Sequence, residues 1–254
     1  MTEPGESSKQ TRLCCPVVEL RQYTLHPGKR DVLIELFDRE FVESQEALGI
    51  KVIGQFRDLD RPDRFVWLRG FLDMNSRAKA LSDFYGGPVW KTHREAANAT
   101  MIDSDNVLLL RPALQTSGFS LENVKRLPEG SDEVPRNLIV ATVYYFERSV
   151  PSDFINFFEH TLKPMATSLG ATITAYFMTE DSENTFPALP VREGENVFVW
   201  FSTFQDSAPY EIYEAALSQS ERWRDEVSGG LTNYFDTAAE VLKLSPTARS
   251  LLRG

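Results

Sequence analysis

Cysteine and histidine are scarce in this chain of 254 residues, which holds two of the first and three of the second. Cys14 and Cys15 are neighbours and cannot close a useful loop, so no disulfide framework exists and reduced thiols are expected there. His26, His93 and His160 lie far apart in sequence, and with the cysteines they give none of the ligand spacings of a metal centre. No metal is expected. Long apolar runs are also missing: stretches such as 107–110 are strand-length, well short of the roughly 20 residues that span a bilayer. The first dozen residues include Glu3, Pro4, Gly5 and Glu6 where a signal peptide would have a basic start and an apolar stretch. The expectation is a cytoplasmic protein without a membrane partner. Basic charge is outnumbered, with 27 Lys and Arg against 37 Asp and Glu and a net charge of −10. That field repels phosphates, so nucleic acid is not expected as a partner. There is no glycine-rich phosphate loop and no Ser/His/Asp arrangement around a nucleophile elbow, which removes kinase and hydrolase readings. No cofactor is expected.

What remains is an ordinary folded composition, 42% hydrophobic, 11% aromatic and 25% charged, with room for about two domains. Self-comparison shows how they are related. At an offset of 121, residues 17–57 lie over 138–178, matching Tyr23 with Tyr144, Phe37 with Phe158, Gly49 with Gly170 and Phe56 with Phe177. At an offset of 133, Phe65-Val66-Trp67 lies over Phe198-Val199-Trp200, Asp73 over Asp206 and Trp90 over Trp223. The change of offset places a 12-residue insertion in the second copy, around 182–187 and 190–195. The pattern reads as one duplicated unit.

Each copy shows the same order of elements. Val17 to Leu25 reads as a strand ended by Pro27-Gly28, and a helix follows with Asp31 as cap and Gly49 at its end. Ser152 and Gly170 take those places in the second copy, where Pro164 predicts a kink or break near residues 161–163. Two strands, 50–57 and 65–72, make a hairpin across the turn at residues 60–63. A second helix around Trp90 and a last strand at 107–111 complete the unit. Strand, helix, two strands, helix, strand is the split βαβ or ferredoxin-like unit. The expected fold is therefore α+β: two tandem ferredoxin-like (βαββαβ) units packed sheet to sheet as an intrachain pseudo-dimeric barrel. The expected boundaries are a disordered leader at 1–16, a first unit at 17–112, a linker at 113–136 and a second, diverged unit at 137–254.

The run Val18-Glu19-Leu20-Arg21-Gln22-Tyr23, the Pro27-Gly28 turn, the Phe-Val-Trp-Leu-Arg strand at 65–69 and Leu109-Leu110-Arg111-Pro112 together resemble the NIPSNAP family of dimeric α+β barrel proteins. The resemblance spans about residues 17–112. The second half shares only the shape, since its opening strand lacks the Glu and the Arg. Most bacterial members of that family have no known function. Related barrel families include cofactor-free monooxygenases and haem-degrading oxygenases, which is analogy at the level of fold.

Alternation along strands sorts the faces. Glu19, Arg21, Tyr23 and Leu25 share one face of the first strand, and Phe65, Trp67, Arg69 and Phe71 one face of the third. The aliphatic faces opposite are expected under the helices. Glu19, Arg21, Tyr23, Trp67 and Arg69 are then expected to line the barrel interior as the candidate ligand site, with His93 reaching the same cleft from the second helix. Arg21 and Arg69 could fork onto an anion while Trp67 stacks on a planar molecule. Equally, Glu19 and Arg21 could be a structural ion pair, Trp67 core, and His93 a solvated residue. The second copy offers Thr142, Tyr144, Trp200 and Ser202. No catalytic residue is identified.

The expected function is binding of a small aromatic or anionic molecule in the first unit, with cofactor-free oxygenase-like activity as its enzymatic form. The alternative is an interaction protein with a filled barrel, and a haem oxygenase using His93 is a third reading. Either a monomer or a homodimer fits. Residues 1–128 hold 18 basic and 18 acidic side chains and residues 129–254 hold 9 and 19, so the whole charge of −10 lies in the second half. That half reads as the structural partner of a neutral, ligand-binding first half.

Overall fold

The computed structural model describes residues 13–253 apart from 233 and 236. Most of the expected leader lies outside the described residues. The β-branched and aromatic run Val17–Leu25 forms β1, followed by α1 (Arg30–Leu36), a π turn (Phe37–Phe41) and α2 (Val42–Glu46). Next come β2 (Lys51–Asp58), β3 (Arg64–Phe71), α3 (Met74–Gly86), α4 (Pro88–Asn98) and β4 (Met101–Pro112). The second unit repeats the order with β5 (Leu138–Phe146), α5 (Ser152–Phe157), a π turn (Phe158–Leu162) and α6 (Lys163–Ser168). It continues through β6 (Thr172–Thr179), β7 (Asn196–Phe204), α7 (Ser207–Gln219), a π turn (Trp223–Ser228), α8 (Gly229–Leu231) and β8 (Glu240–Pro246).

Local signals account for the ends. Asp73 accepts a hydrogen bond from the Ser76 backbone N–H at 2.6 Å, and Asp206 from that of Ala208 at 2.9 Å, so each second helix begins on an aspartate cap. Gly49 and Gly170 follow the first helices with φ of +85° and +107°, the left-handed region where glycine is favoured. Asp31 is not a cap: Lys29 holds that place, and Asp31 lies in the first turn, where its charge suits the helix dipole. Ser152 likewise follows Pro151 at the cap position. The irregularity expected before Pro164 is a π turn ending at Leu162. The first unit makes the same turn at Phe37–Phe41 with no proline, so proline is not its general cause.

The eight strands close in the order β1-β3-β2-β8-β5-β7-β6-β4, with β4 returning to β1. Each unit supplies four neighbouring strands, and two three-residue antiparallel seams join them. One seam pairs Phe56, Arg57 and Asp58 with Pro246, Ser245 and Leu244; the other pairs Leu110, Arg111 and Pro112 with Thr179, Met178 and Phe177. The interior is a single apolar core from both units, including Val18, Leu20, Phe56, Val66 and Leu68 with Ala141, Val143, Phe177, Val199 and Phe201. Burial of this aliphatic face is what holds the two units together.

This placement reverses the expected faces. The aliphatic residues of β1 and β3 point into the barrel. Glu19, Arg21, Tyr23, Trp67 and Arg69 lie on the other side, where Tyr23 and Trp67 pack with Leu33, Phe37, Phe41 and Phe84 of the helices. The physical reason is that the barrel interior joins two equivalent apolar faces and tolerates no charge without a partner, whereas helix side chains can reach down to satisfy one.

The segment between the units is also built in. Phe119 sits in the core with its ring 5.0 Å from those of Phe177 and Phe201, and its carbonyl accepts a hydrogen bond from the Cys14 N–H at 2.8 Å. Pinned there, Cys14 and Cys15 are joined as a disulfide between neighbours, where reduced thiols were expected. Cys15 fills the space above Gly70; a Cβ at residue 70 would clash with its sulfur.

Phe119 therefore acts as a plug. Phe119→Ala should lower the unfolding free energy by about 3–5 kcal/mol in denaturant titrations, the usual cost of deleting a buried phenyl ring. Leu72→Ala, at a site 70% exposed, should change it by less than about 0.5 kcal/mol. Equal effects would show that the segment does not seal the barrel.

Candidate functional site

Each unit has a cleft between its sheet and its helices, and the two differ in content. In the first, antiparallel register sets Glu19 opposite Arg69, Arg21 opposite Trp67 and Tyr23 opposite Phe65. Arg77 comes down from the first turns of α3. Glu19 accepts hydrogen bonds from Arg21 Nη1 at 2.6 Å and Arg69 Nε at 2.8 Å on Oε2, and from Arg77 Nε at 2.6 Å on Oε1. All four side chains are fully buried, at 0% exposure. Burial alone would raise the Glu19 pKa, but Arg69, Arg21 and Arg77 outweigh it and hold the carboxyl well below the usual range. Arg21 also donates through Nε to the Tyr23 hydroxyl at 3.0 Å. The Arg69 guanidinium lies 5.0 Å from the Trp67 ring centroid and that of Arg21 5.6 Å from it. Five of the six expected site residues thus come together, and the ion-pair reading of Glu19 and Arg21 extends to four charges.

His93 does not join them. It lies on α4 beside Glu40, with Nε2 3.3 Å from Oε2, and faces the edge of Phe41. The space left in the first cleft is a cavity of about 30 Å³ walled by Tyr23, Gln45, Trp67, Tyr85 and Trp90. That is room for a water or two. A haem does not fit there, and His93 does not line that cavity.

Arg77 was not among the expected residues. Its partner is 58 residues away, and the one local signal was its position four residues after the Asp73 cap, which turns it toward the sheet. The insertion in the second unit covers it from outside. Arg77 Nη1 donates to Asn184 Oδ1 at 2.9 Å and Thr185 Oγ1 at 3.3 Å, and Phe186 stacks on Tyr85 with centroids 5.8 Å apart.

The second cleft has the same frame. Val140 pairs with Ser202, Thr142 with Trp200 and Tyr144 with Phe198, at the register positions of Glu19–Arg69, Arg21–Trp67 and Tyr23–Phe65. By the sequence offsets Ala166 stands where the first unit has Gln45, and Tyr210 where it has Arg77. Smaller, mostly uncharged side chains therefore replace the ionic cluster, and the space is left open. A cavity of about 490 Å³ lies among Val140, Thr142, Tyr144, Ala166, Trp200, Ser202, Tyr210 and Tyr213. This volume falls within the range of small-molecule sites. Burial raises the Tyr144 phenol, burial and Glu214 raise that of Tyr210, and burial with Glu214 pushes Tyr213 up to about 12. All three stay protonated at neutral pH and remain hydroxyl donors. Tyr210 donates to Glu214 at 2.7 Å, while Trp200 Nε1 is buried without an acceptor in hydrogen-bonding geometry among the described residues. The half expected to be only a structural partner carries the open site.

Two βαββαβ units closing one barrel, with a cleft under the helices of each, define a dimeric α+β barrel formed within one chain. The NIPSNAP family model matches residues 18–115, the span of the first unit. Among solved structures, an anthrone oxidase-like protein is similar at 13% identity, with 91% of each chain covered and a TM-score of 0.56. A candidate monooxygenase from Fusobacterium nucleatum matches at 12% identity, covering 92% of this chain and 93% of its own, with a TM-score of 0.54. Another from Lactobacillus acidophilus matches at 15%, covering 92% and 94%, with a TM-score of 0.53. At these identities the likeness shows the fold. No curated protein matches. Among the described residues no helix is long and apolar enough to cross a membrane, and no group of three or more His, Cys, Asp or Glu is placed to hold a metal ion.

The cluster makes a pH-dependent contribution of definite sign. Because Glu19 is held below its ordinary value of 4.5, its ionised form stabilises the fold; that contribution is complete above the ordinary value and lost as pH falls below it. Glu19→Gln should cost about 3–5 kcal/mol at neutral pH, since three buried guanidinium groups lose their counter-charge. The gap from the parent should narrow by about 1.4 kcal/mol for each pH unit below the ordinary value. Denaturant titrations of both proteins at neutral and acid pH check this; a gap that does not change with pH removes the assignment.

Proposed function

We propose that the chain binds a planar, largely apolar small molecule in the cleft of its second unit, held by the rings of Tyr144 and Trp200 and oriented by phenol and indole donors. The observation that carries this reading is the contrast between equivalent clefts, about 30 Å³ in the first and about 490 Å³ in the second. A cavity lined by aromatic and aliphatic side chains with a few convergent donors suits an aromatic compound bearing carbonyl or hydroxyl groups. This moves the ligand from the first unit, where the sequence places it, to the second. The division into a first unit at 17–112 and a diverged second at 137–254, related by duplication, belongs to the same reading.

The geometry supports binding more directly than turnover. Oxygenation without a cofactor requires the bound molecule to lose a proton before it can pass an electron to dioxygen, so the site must hold a base. Among the residues lining the cavity Glu214 is the one carboxylate, and it stands exposed on α7 at the rim, engaged by Tyr210. The interaction-protein alternative draws on the packed barrel, whose interior is filled by aliphatic and phenyl side chains.

Titration with anthrone and hydroxylated anthraquinones should quench the fluorescence of Trp200 and Trp223, which both line the cavity. Ala166→Phe, which fills it, should weaken binding at least about ten-fold, or 1.4 kcal/mol, while keeping the parent's circular dichroism. A soaked crystal should show the probe between Tyr144 and Trp200. Binding that Ala166→Phe leaves untouched, or no binding of any tricyclic probe, would falsify the assignment.

A further inference from the structure

The closed cleft of the first unit has a charge imbalance that its protein groups do not settle. Arg21, Arg69 and Arg77 bring three positive charges into a volume with no exposure, and Glu19 is the only carboxylate bonded to them among the described residues. Two positive charges remain in a low-dielectric setting, where an unpaired ion costs several kcal/mol. Each guanidinium also keeps an unused donor: Nη2 of Arg21, of Arg69 and of Arg77 are all buried with no acceptor among the described residues, and so is Trp67 Nε1. The neighbouring hydroxyl of Tyr23 does not cancel the charge, because burial raises its pKa and keeps it a neutral phenol. Asn184, Thr185 and Gln45 satisfy other guanidinium nitrogens through neutral oxygens.

We infer that the first unit carries a buried site for one small monovalent anion, of the chloride or formate class, which completes the Glu19–Arg21–Arg69–Arg77 cluster. Size argues for a small ion: the neighbouring cavity of about 30 Å³ is enclosed by Leu33, Phe37, Phe41, Phe84 and Trp90 together with Tyr23, Gln45, Trp67 and Tyr85, and these last four stand against the Arg21 and Arg69 guanidinium groups, so the space next to the cluster is small. Charge argues for an anion, since guanidinium groups bond chloride or a carboxylate with the donors left over. The site is independent of the ligand proposed for the second unit. Its outer wall is the inserted segment carrying Asn184, Thr185 and Phe186, so that insertion separates the cluster from solvent.

The full chain should be melted in sodium chloride, sodium formate and sodium gluconate at equal ionic strength, gluconate being too large for the site. Chloride and formate should raise Tm saturably above gluconate, by about 5 °C or more at a hundred-fold excess over the dissociation constant. Arg77→Gln should lose at least half of that difference. Crystals of the parent protein soaked in bromide should give an anomalous peak within hydrogen-bonding reach of the Arg21, Arg69 and Arg77 guanidinium groups, a readout that does not depend on the variant folding. Equal melting in the three salts, or bromide confined to the surface, overturns the proposal.

Discussion

Glu19 anchors the first half of this protein. Its carboxylate oxygens take a hydrogen bond from each of three arginines, two on the sheet and one on a helix, and so tie α3 to the strands beneath it through charge in addition to the apolar contact made by Ala80, Leu81 and Phe84. A carboxylate with three guanidinium partners loses less from desolvation than an isolated one, because every oxygen is bonded to a cation. The arginines also bring their flat faces against Trp67, Tyr23 and Tyr85, so the aromatic packing of the cleft is arranged around them. The small remaining volume follows from four long side chains meeting where shorter ones would leave a hole.

The second half shows what happens when that anchor is removed. Val140, Thr142, Ser202 and Tyr210 stand in the positions of Glu19, Arg21, Arg69 and Arg77, and the helices are held by phenyl and phenol rings instead, with Phe154 and Phe158 against Phe198. The backbone frame hardly depends on the choice, since the register of β5 on β7 repeats that of β1 on β3. One scaffold therefore supports either a filled ionic cluster or an open aromatic cavity.

The sequence makes the order of elements legible because turn glycines and strand alternation are local signals, and they recur at fixed offsets; the caps are less legible, since Asp31 and Ser152 lie inside the first turns while Asp73 and Asp206 cap the second helices. Alternation also groups Glu19, Arg21, Tyr23, Trp67 and Arg69 correctly on one face. It says nothing about which face looks inward, and the intuition that polar side chains line a barrel and aliphatic ones lie under helices is reversed here, because the barrel interior is shared by two apolar faces. Arg77 is hidden because its partner lies on a strand 58 residues away. The large cavity is hidden for a different reason: it arises from what Thr142, Ala166 and Ser202 do not fill, and a missing volume leaves no motif. The net negative charge of the second half describes its surface and misleads about its interior.

The two seams that close the barrel have an evolutionary consequence. When two copies of one chain build a symmetric pair, any substitution appears in both clefts at once, so a change that suits one cleft must be tolerated by the other. Here the two halves share a backbone and meet through edges of different sequence, Phe56–Asp58 against Leu244–Pro246 and Leu110–Pro112 against Phe177–Thr179. Each cleft can then vary alone, with stability kept in one while the other is free to explore new shapes.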